Sequence, residues 1–238
     1  MSLYIEYNST DGSITNWYDS AYYTPPSGTN VLAITPAQFA EIQAQQGYTV
    51  QGGVLTAPTP AQLLALAKNQ QLAYLRQACD QNIQAGFPSS IGVVTLKQGG
   101  SSHDQTNALM AALIAQGAMA QAKSWAALQT VPPSYVITDG KGDFWTTFTG
   151  GVTGASLPTL PTTFSTPAID GTVTWFRLGF RIGTTAGTVI VDPITVVSLF
   201  AQGTVFVNNM RAQYEQLKIQ VNAATTISAV QSITWTNP

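Results

Sequence analysis

Residues 85–113, AGFPSSIGVVTLKQGGSSHDQTNALMAAL, contain the end of one helix, a short strand and the start of a second helix. Gly86 stands where a helix C-terminus favours a residue with positive φ, and Pro88 stops the helix from continuing. The β-branched run IGVVTL is typical of a short strand, and a helical apolar pattern begins at Asp104. Helix, strand and helix in this order predict a fold that contains both helices and strands.

The only histidine of the chain, His103, stands beside Asp104 in this stretch and raises the question of catalysis. A catalytic pair needs a nucleophile and a third orienting group, and adjacent side chains rarely point the same way. Ser101, Ser102 and Asp104 are all good helix N-caps, and Ser102 with Gln105 has capping-box spacing. We therefore interpret Asp104 as a helix cap and His103 as a polar loop residue.

Outward from this stretch, the apolar periodicity predicts three long helices, at about 59–85, 104–127 and 192–223. In the N-terminal region, Thr35 and Pro36 start a shorter helix that Gly47 ends. Two glycine-containing dipeptides there predict tight β-hairpin turns. They are Asp11-Gly12 and Gly52-Gly53.

Residues 129–190 differ from the helical regions because they are rich in Gly, Thr and Pro, with short aromatic and β-branched runs. This composition predicts a small antiparallel β module inserted between helices. The whole chain is therefore expected to be α+β, with a small N-terminal β/α domain, three long helices and the inserted module. The predicted boundaries are 1–57 for the N-terminal domain, 58–128 for the first helical part, 129–190 for the module, and 191–238 for the second helical part and tail.

Charge is scarce, since Asp, Glu, Lys and Arg make up 8% of the chain, and the net charge is -2. A typical soluble domain has about 25% of these residues. Hydrophobic residues make up 45%, so the chain should fold, and its neutral polar surface should give little repulsion between copies. The helix at 192–223 is apolar around much of its circumference, so its partners could be the other two long helices of the same chain or the same helix in two more copies around a threefold axis. Together with the scarce charge, this pattern favours a permanent homo-oligomer, with a trimer as the expected state.

Several classes of function lack support in the sequence. The nine Lys and Arg residues are scattered singly, so we expect no nucleic-acid partner. No apolar run reaches the roughly 18 residues of a bilayer span, and no secretory signal is apparent. Cys79 is the only cysteine, which leaves no common zinc site. No phosphate-binding loop, nucleophile elbow or paired-carboxylate motif is present, so we expect no enzyme activity, catalytic residue, metal or cofactor.

The segment DGKGD at 139–143 allows two interpretations. Its two carboxylates around glycines could hold Ca²⁺, but a full calcium loop needs more oxygen ligands and a later Glu. A tight turn between strands is favoured. Asp170-Gly171 is likewise interpreted as a hairpin turn.

Aromatic residues of the β module are the candidates for contact with a partner or a glycan. Those singled out are Trp145, Trp175 and Phe176, together with Arg177. Strand alternation places Trp175 and Phe176 on opposite faces, so one face could show a ring to a partner, whereas core packing is the alternative. Arg177 and Arg181 are expected on one strand face, at a solvated edge or paired with a neighbour's carboxylate.

The order of motifs resembles a domain common in bacteriophage tail and tail-fibre-associated proteins. The motifs are LRQACDQNIQAGF, GVVTL, DQTNALMAALIAQ, FWTT, DPITVVSLFAQG and AATTISAVQSITW, within residues 62–235. Gly86-Phe87, Asp104, Gln105 and Asn107 are the matching turn and polar positions, and the N-terminal segment with ITPAQF resembles the leader of those proteins. The stretch from Pro132 to Val191 is longer than the simple aromatic strand of that pattern.

The resemblance implies a structural virion protein of a phage tail, acting as a baseplate, fibre or fibre-attachment subunit. Its partners would be other phage tail proteins and copies of itself, and its location would be the virion tail after assembly in the host cytoplasm. Two alternatives remain open. One is a tail-fibre assembly chaperone that leaves before the particle is complete, and the other is a module that binds a host-surface glycan.

Overall fold

A computed structural model describes residues 2–24, 28, 30–99 and 102–236 and shows the predicted α+β class. Over these residues the helices are α1 (Pro36–Ala44), α2 (Pro60–Ala85), α3 (Asp104–Gln121), α4 (Pro193–Ala223) and α5 (Ile227–Gln231). The strands of the N-terminal half are β1 (Leu3–Tyr7), β2 (Ile14–Asp19), β3 (Val31–Ile34), β4 (Thr49–Gln51), β5 (Val54–Thr56), β6 (Phe87–Ser89), β7 (Gly92–Val94), β8 (Gln98–Gly99) and β9 (Ser102–His103). The later strands are β10 (Lys123–Ser124), β11 (Thr130–Val131), β12 (Val136–Thr138), β13 (Phe144–Thr146), β14 (Gly151–Val152), β15 (Ala168–Asp170), β16 (Val173–Arg177), β17 (Phe180–Thr184) and β18 (Gly187–Val191).

The three long predicted helices are present as α2, α3 and α4. Thr59 and Gln62 form a reciprocal capping pair at the start of α2, and the Asp192 carboxylate caps α4 by accepting from Thr195. Helix α3 ends at Gln121, earlier than the predicted end near residue 127. The chain leaves the helix there because Lys123 begins β10, which pairs with β12 in parallel.

The chain forms two compact units, one of Met1–Gln77 with Glu215–Pro238, and one of Ala78–Tyr214. Helices α2 and α4 each contribute residues to both units. The predicted division into four parts, with boundaries at 57, 128 and 190, does not coincide with these two compact units and remains a prediction about which parts fold independently. Strand pairing crosses the boundary at 128, since β10 pairs with β12 and β7 pairs with β17.

The first unit contains a three-stranded antiparallel sheet in the order β2-β1-β3, with the β4–β5 hairpin. Ile5, Ile34 and Val50 are its buried centre, and α1 begins with the predicted Thr35 cap. The hairpin turn at Gly52-Gly53 is confirmed, since both residues have positive φ.

The turn predicted at Asp11-Gly12 is longer than two residues. The Asn8 N–H donates to the Ser13 carbonyl, which closes a connection that spans 9–12. Gly12 does not only turn the chain, because its carbonyl accepts the Val50 N–H at 2.8 Å. Its φ is +74°, and a Cβ there would lie 2.3 Å from the Val50 oxygen, so only glycine fits.

The second unit contains two larger sheets, of five strands (β10-β12-β13-β16-β15) and four strands (β18-β17-β7-β6). The predicted antiparallel module is thus divided, because its last hairpin, β17–β18, joins the four-stranded sheet. The β10–β12 pair is parallel, unlike the prediction for this region. The five-stranded sheet packs around five buried side chains. These are Val131, Ile137, Trp145, Val173 and Trp175.

Asp170 is the polar centre of this cluster. Its carboxylate accepts the indole N–H groups of Trp125 at 2.7 Å and Trp175 at 3.0 Å, and the Gly154 N–H at 2.6 Å. Burying a carboxylate is tolerable when its oxygens are hydrogen-bonded in this way. The predicted hairpin turn is confirmed, with Asp170 paired to Val173 across it.

Candidate interface on helix α3

Helix α3 buries small side chains and exposes large ones. Ala112 and Ala115 are 2% and 0% exposed, and they are the buried residues of the helix. Four large apolar side chains of the same helix are 41–56% exposed. They are Leu109, Met110, Leu113 and Ile114. A helix that packs only inside its own chain would have the reverse arrangement.

The four exposed side chains form one continuous surface. Residues four apart are neighbours on a helix, so Leu109 lies beside Leu113 and Met110 beside Ile114 in two adjacent rows. Thr106, Asn107, Gly117 and Gln121 extend the same exposed side, and no charged residue occurs between 105 and 121. We call the four apolar side chains and Gly117 the α3 face.

Gly117 is the unusual member of this face. It lies inside α3, where glycine is less favourable than alanine by about 0.5–1 kcal/mol. A Cβ at this position would meet nothing within 4 Å, so packing within the described chain does not require glycine. A glycine on a helix surface is useful where another backbone approaches closely. Gly117 therefore leaves the helix backbone uncovered on the α3 face.

An apolar groove of about 400 Å³ runs beside the α3 face in the second unit. Leu109 forms part of one wall, Leu199 and Phe200 of α4 form part of the other, and Val94 and Ile182 contribute from the sheet. The polar residues along α4 in this lining are Thr204, Asn208 and Arg211. The α3 face and the groove therefore share Leu109 and form one apolar surface.

The start of α3 is tied to the strand region before it. The Asp104 carboxylate accepts the Thr95 hydroxyl at 2.7 Å and the Lys97 N–H at 3.1 Å, and Gln105 donates to the Leu96 carbonyl. Asp104 is the first helical residue and not the cap, because the N-cap position is taken by His103. These bonds fix where α3 leaves the sheet.

His103 lies in the short strand β9 and not in a loop, because it pairs with Gln98. Its exposed side chain makes no capping hydrogen bond. The capping proposed for Ser101 and for the Ser102 side chain lies outside the described residues.

The tryptophans predicted as partner or glycan contacts are in the core. Trp145 is 4% exposed and donates to the Pro161 carbonyl at 2.9 Å, and Trp175 is fully buried beside Asp170. Alternation along β16 puts Trp175 inside and Phe176 on the other face, where it is partly exposed and contacts Phe148 with ring centroids 5.2 Å apart. Neither tryptophan presents a ring to a partner.

Arg177 is engaged within its own chain. It forms an ion pair with Asp143, donates to the Thr162 carbonyl, and lies over the Phe164 ring at 5.1 Å from the centroid. The placement of Arg177 and Arg181 on one strand face was wrong. The chain leaves β16 after Arg177, and Arg181 belongs to β17 in the other sheet.

The segment at 139–143 is a turn between β12 and β13, as favoured. One oxygen of the Asp139 carboxylate accepts the N–H groups of Lys141 and Asp143, which holds the pKa of this carboxyl below its ordinary value. No group of three or more metal-ligating side chains occurs among the described residues. In that same part of the chain, no helix has the length and apolarity of a bilayer span.

Comparison with known proteins found no matching family model, no similar curated protein and no similar solved structure. The site is therefore defined by the geometry of this chain alone. Sequence periodicity missed the α3 face because residues 108–115, ALMAALIA, are apolar without interruption. The absence of charge from 105 to 121 is the signal that could have marked it.

Proposed function

We propose that this chain is a structural protein of a bacteriophage tail that acts through permanent contacts with copies of itself and with other tail proteins. The resemblance in motif order supports the setting, and the α3 face supports the mode of action. The single observation that carries the proposal is the exposure of Leu109, Met110, Leu113 and Ile114 on a helix that buries alanines. The role assigned is non-catalytic, with no metal or cofactor.

A second copy of this chain is the occupant that the α3 face fits best. Exposed apolar surfaces of this kind mark contacts between proteins. A face without charge meets another copy of itself without repulsion, and the net charge of -2 adds little. Gly117 allows the two helix backbones to approach closely. We therefore place α3 at the contact between subunits of a homo-oligomer, with a trimer favoured.

Engineered disulfide cross-linking tests this contact directly. The native Cys79 is buried, and burial raises the pKa of its thiol, so a single added cysteine is the reactive one. Leu113→Cys is expected to give a disulfide-linked dimer of chains under mild oxidation. The matched control, Ser198→Cys on the exposed side of α4, is expected to give little. Equal cross-linking of the two variants would contradict the contact.

Mass spectrometry of purified phage particles tests the setting. For the phage that encodes this chain, we expect the protein in the particle and in tails separated from the heads. A chaperone would instead be found with unassembled fibre chains in infected cells and be missing from particles. That result would refute the structural role while leaving the α3 contact intact.

A further inference from the structure

Three aromatic side chains are exposed together in the first unit, at the end of strand β2 and in the turn that follows. Trp17 is 55% exposed, Tyr22 75% and Tyr23 71%. With Asn16 and Asp19 they line a depression of about 410 Å³. Sites for small molecules span about 300–1,000 Å³, so the depression has room for a ligand. We call these five residues the aromatic depression.

The indole of Trp17 is held in place from one side. Trp17 pairs with the fully buried Ile5 across the sheet, so its side chain lies on the core face at the sheet edge. The Phe39 ring of α1 packs against it, with centroids 5.1 Å apart and planes at 58°. One side of the indole therefore contacts protein, and more than half of the side chain remains open to a ligand.

The turn that carries the two tyrosines is also ordered. The N–H groups of Tyr22 and Tyr23 both donate to the Asp19 carbonyl at 2.9 Å, and the Ala21 N–H donates to Asp19 Oδ1 at 2.9 Å. These bonds fix the backbone from which both rings project. The two rings thus project from a turn that is fixed by hydrogen bonds, so a ligand would not have to order the backbone when it binds, which keeps the entropy cost low.

Two polar side chains accompany the rings. Two hydrogen bonds orient the Asn16 side chain. The backbone N–H of Trp17 donates to Asn16 Oδ1 at 2.9 Å, and Asn16 Nδ2 donates to the Tyr18 hydroxyl. Asp19 Oδ2 makes no hydrogen bond to any residue that the structure describes. The depression therefore combines apolar ring surface with a carboxylate oxygen that can accept a donor.

We propose that the aromatic depression binds a neutral pyranose sugar. A pyranose ring has an apolar C–H face that packs on an aromatic ring, whose face carries negative charge density, and hydroxyl groups that donate to a carboxylate. Trp17, Tyr22 and Tyr23 supply the first kind of contact, and Asp19 supplies the second. The proposed ligand is neutral, and the Asp19 carboxylate in the lining would repel an acidic sugar.

An apolar peptide fits the depression less well than a sugar. Covering the site with apolar side chains would remove the Asp19 carboxylate and two phenol hydroxyls from water without giving them hydrogen-bond partners. A sugar replaces those lost bonds with its own hydroxyls. The proposal is independent of the phage setting and of the α3 contact.

Saturation-transfer NMR on the full chain tests the site. The probes are the methyl glycosides of glucose, galactose and N-acetylglucosamine, with glucuronic acid as the acidic comparison. We expect saturation of the ring C–H protons of at least one neutral glycoside and weaker transfer to the acid. The Tyr22→Ala, Tyr23→Ala double variant should bind at least about tenfold more weakly, whereas Tyr74→Ala, a half-exposed tyrosine on α2, should bind as the wild type does.

Both tyrosines of the double variant are more than two-thirds exposed, so its fold is expected to survive, and its sedimentation should match that of the wild type. Absence of transfer to all three neutral glycosides would overturn the proposal, and so would transfer that persists in the double variant. Stronger binding of the acid would overturn the assignment to neutral sugars. Binding of a proline-rich peptide without sugar binding would instead assign the depression to a protein partner.

Discussion

In the five-stranded sheet, Trp145 and Trp175 lie inside a core whose polar centre is Asp170, whereas α3 has its largest side chains outside and its alanines inside. Both regions belong to the same unit and are rich in apolar residues. The sheet closes its own core, with the Asp170 carboxylate hydrogen-bonded at its centre. The helix leaves apolar surface uncovered, as the proposed contact with another subunit requires.

The difference shows that a concentration of apolar residues does not by itself tell core from interface. The two regions differ in whether their side chains find partners within the same chain. The indole N–H of each buried tryptophan has a hydrogen-bond acceptor within the chain, Pro161 for Trp145 and Asp170 for Trp175. Gly117 on α3 faces open space that the described chain does not fill.

The largest expected effect is on the sheet. Trp175→Ala should lower the free energy of unfolding by about 3–5 kcal/mol, because it removes a fully buried indole and leaves a cavity. Phe148→Ala, two-thirds exposed beside the same sheet, should change it by only about 0.5 kcal/mol. Urea denaturation of both variants measures this. Similar stabilities would show that the sheet does not form the closed core described.

The next effect concerns the centre of that core. Asp170→Asn replaces a carboxylate that accepts three N–H groups with an amide that has one accepting oxygen. We expect a loss of about 1–3 kcal/mol, since a buried donor is left without a partner. Asp139→Asn in the exposed turn is the control, because an accepting oxygen is retained in contact with solvent, and its unfolding midpoint in urea should change much less than that of Asp170→Asn. An unchanged midpoint for Asp170→Asn would show that the hydrogen bonds from the two tryptophans to this carboxylate contribute little to stability.

On α3 the expected effect has opposite signs for folding and association. In a chain kept monomeric by Ile114→Asp, Gly117→Ala should raise the free energy of unfolding by about 0.5–1 kcal/mol, because alanine favours the helix. In the otherwise native chain, the same change should weaken association, because the new methyl group occupies the close approach. Urea denaturation and sedimentation equilibrium measure the two quantities. Stronger association of the Gly117→Ala chain would show that no close backbone contact is made at Gly117.

The smallest effect is at the start of α4, which forms one wall of the groove. Burial opposes ionisation of the Asp192 carboxyl, but hydrogen bonds from the Thr195 N–H and hydroxyl outweigh it and lower the pKa below 3.8. A lowered pKa in the folded chain gives stability that is present above pH 3.8 and is lost as the pH falls through the folded value.

Asp192→Asn keeps an N-cap oxygen but cannot ionise, so it serves as the comparison. The wild type should exceed this variant in unfolding free energy at pH 7 by about 1 kcal/mol or less, and the difference should vanish below the folded pKa. Urea denaturation across this pH range measures it. A difference that grows as the pH falls would contradict the assigned sign.

Local signals in the sequence predicted much of the fold. The start of α2 near residue 59, the start of α4 near residue 192 and the glycine turn at 52–53 depend on residues close in sequence, and all three are confirmed. The end of α3 was missed because its cause is distant, since Lys123 pairs with Ile137 of β12. The grouping of Arg177 with Arg181 failed for a similar reason, because Arg181 belongs to β17 and pairs with Ile190 in the other sheet.

The candidate sites were harder to predict than the elements. Alternation along β16 correctly separated Trp175 from Phe176, but it did not show which of the two faces the core. The three exposed rings that line one depression are in the first unit, at Trp17, Tyr22 and Tyr23, where an edge strand and a turn leave them uncovered. Burial at these positions depends on how distant elements pack together, and the periodicity of a short segment carries no information about that packing.

Sedimentation velocity of the purified chain over a wide range of concentration is the most direct test of the α3 contact. We expect an assembly whose mass is a multiple of the 25.2 kDa chain, and conversion to the monomer by Ile114→Asp. The matched change Ile169→Asp, at an isoleucine 78% exposed on β15, should leave the assembly intact. A wild-type chain that stays monomeric at every concentration, or an assembly indifferent to Ile114→Asp, would contradict the account.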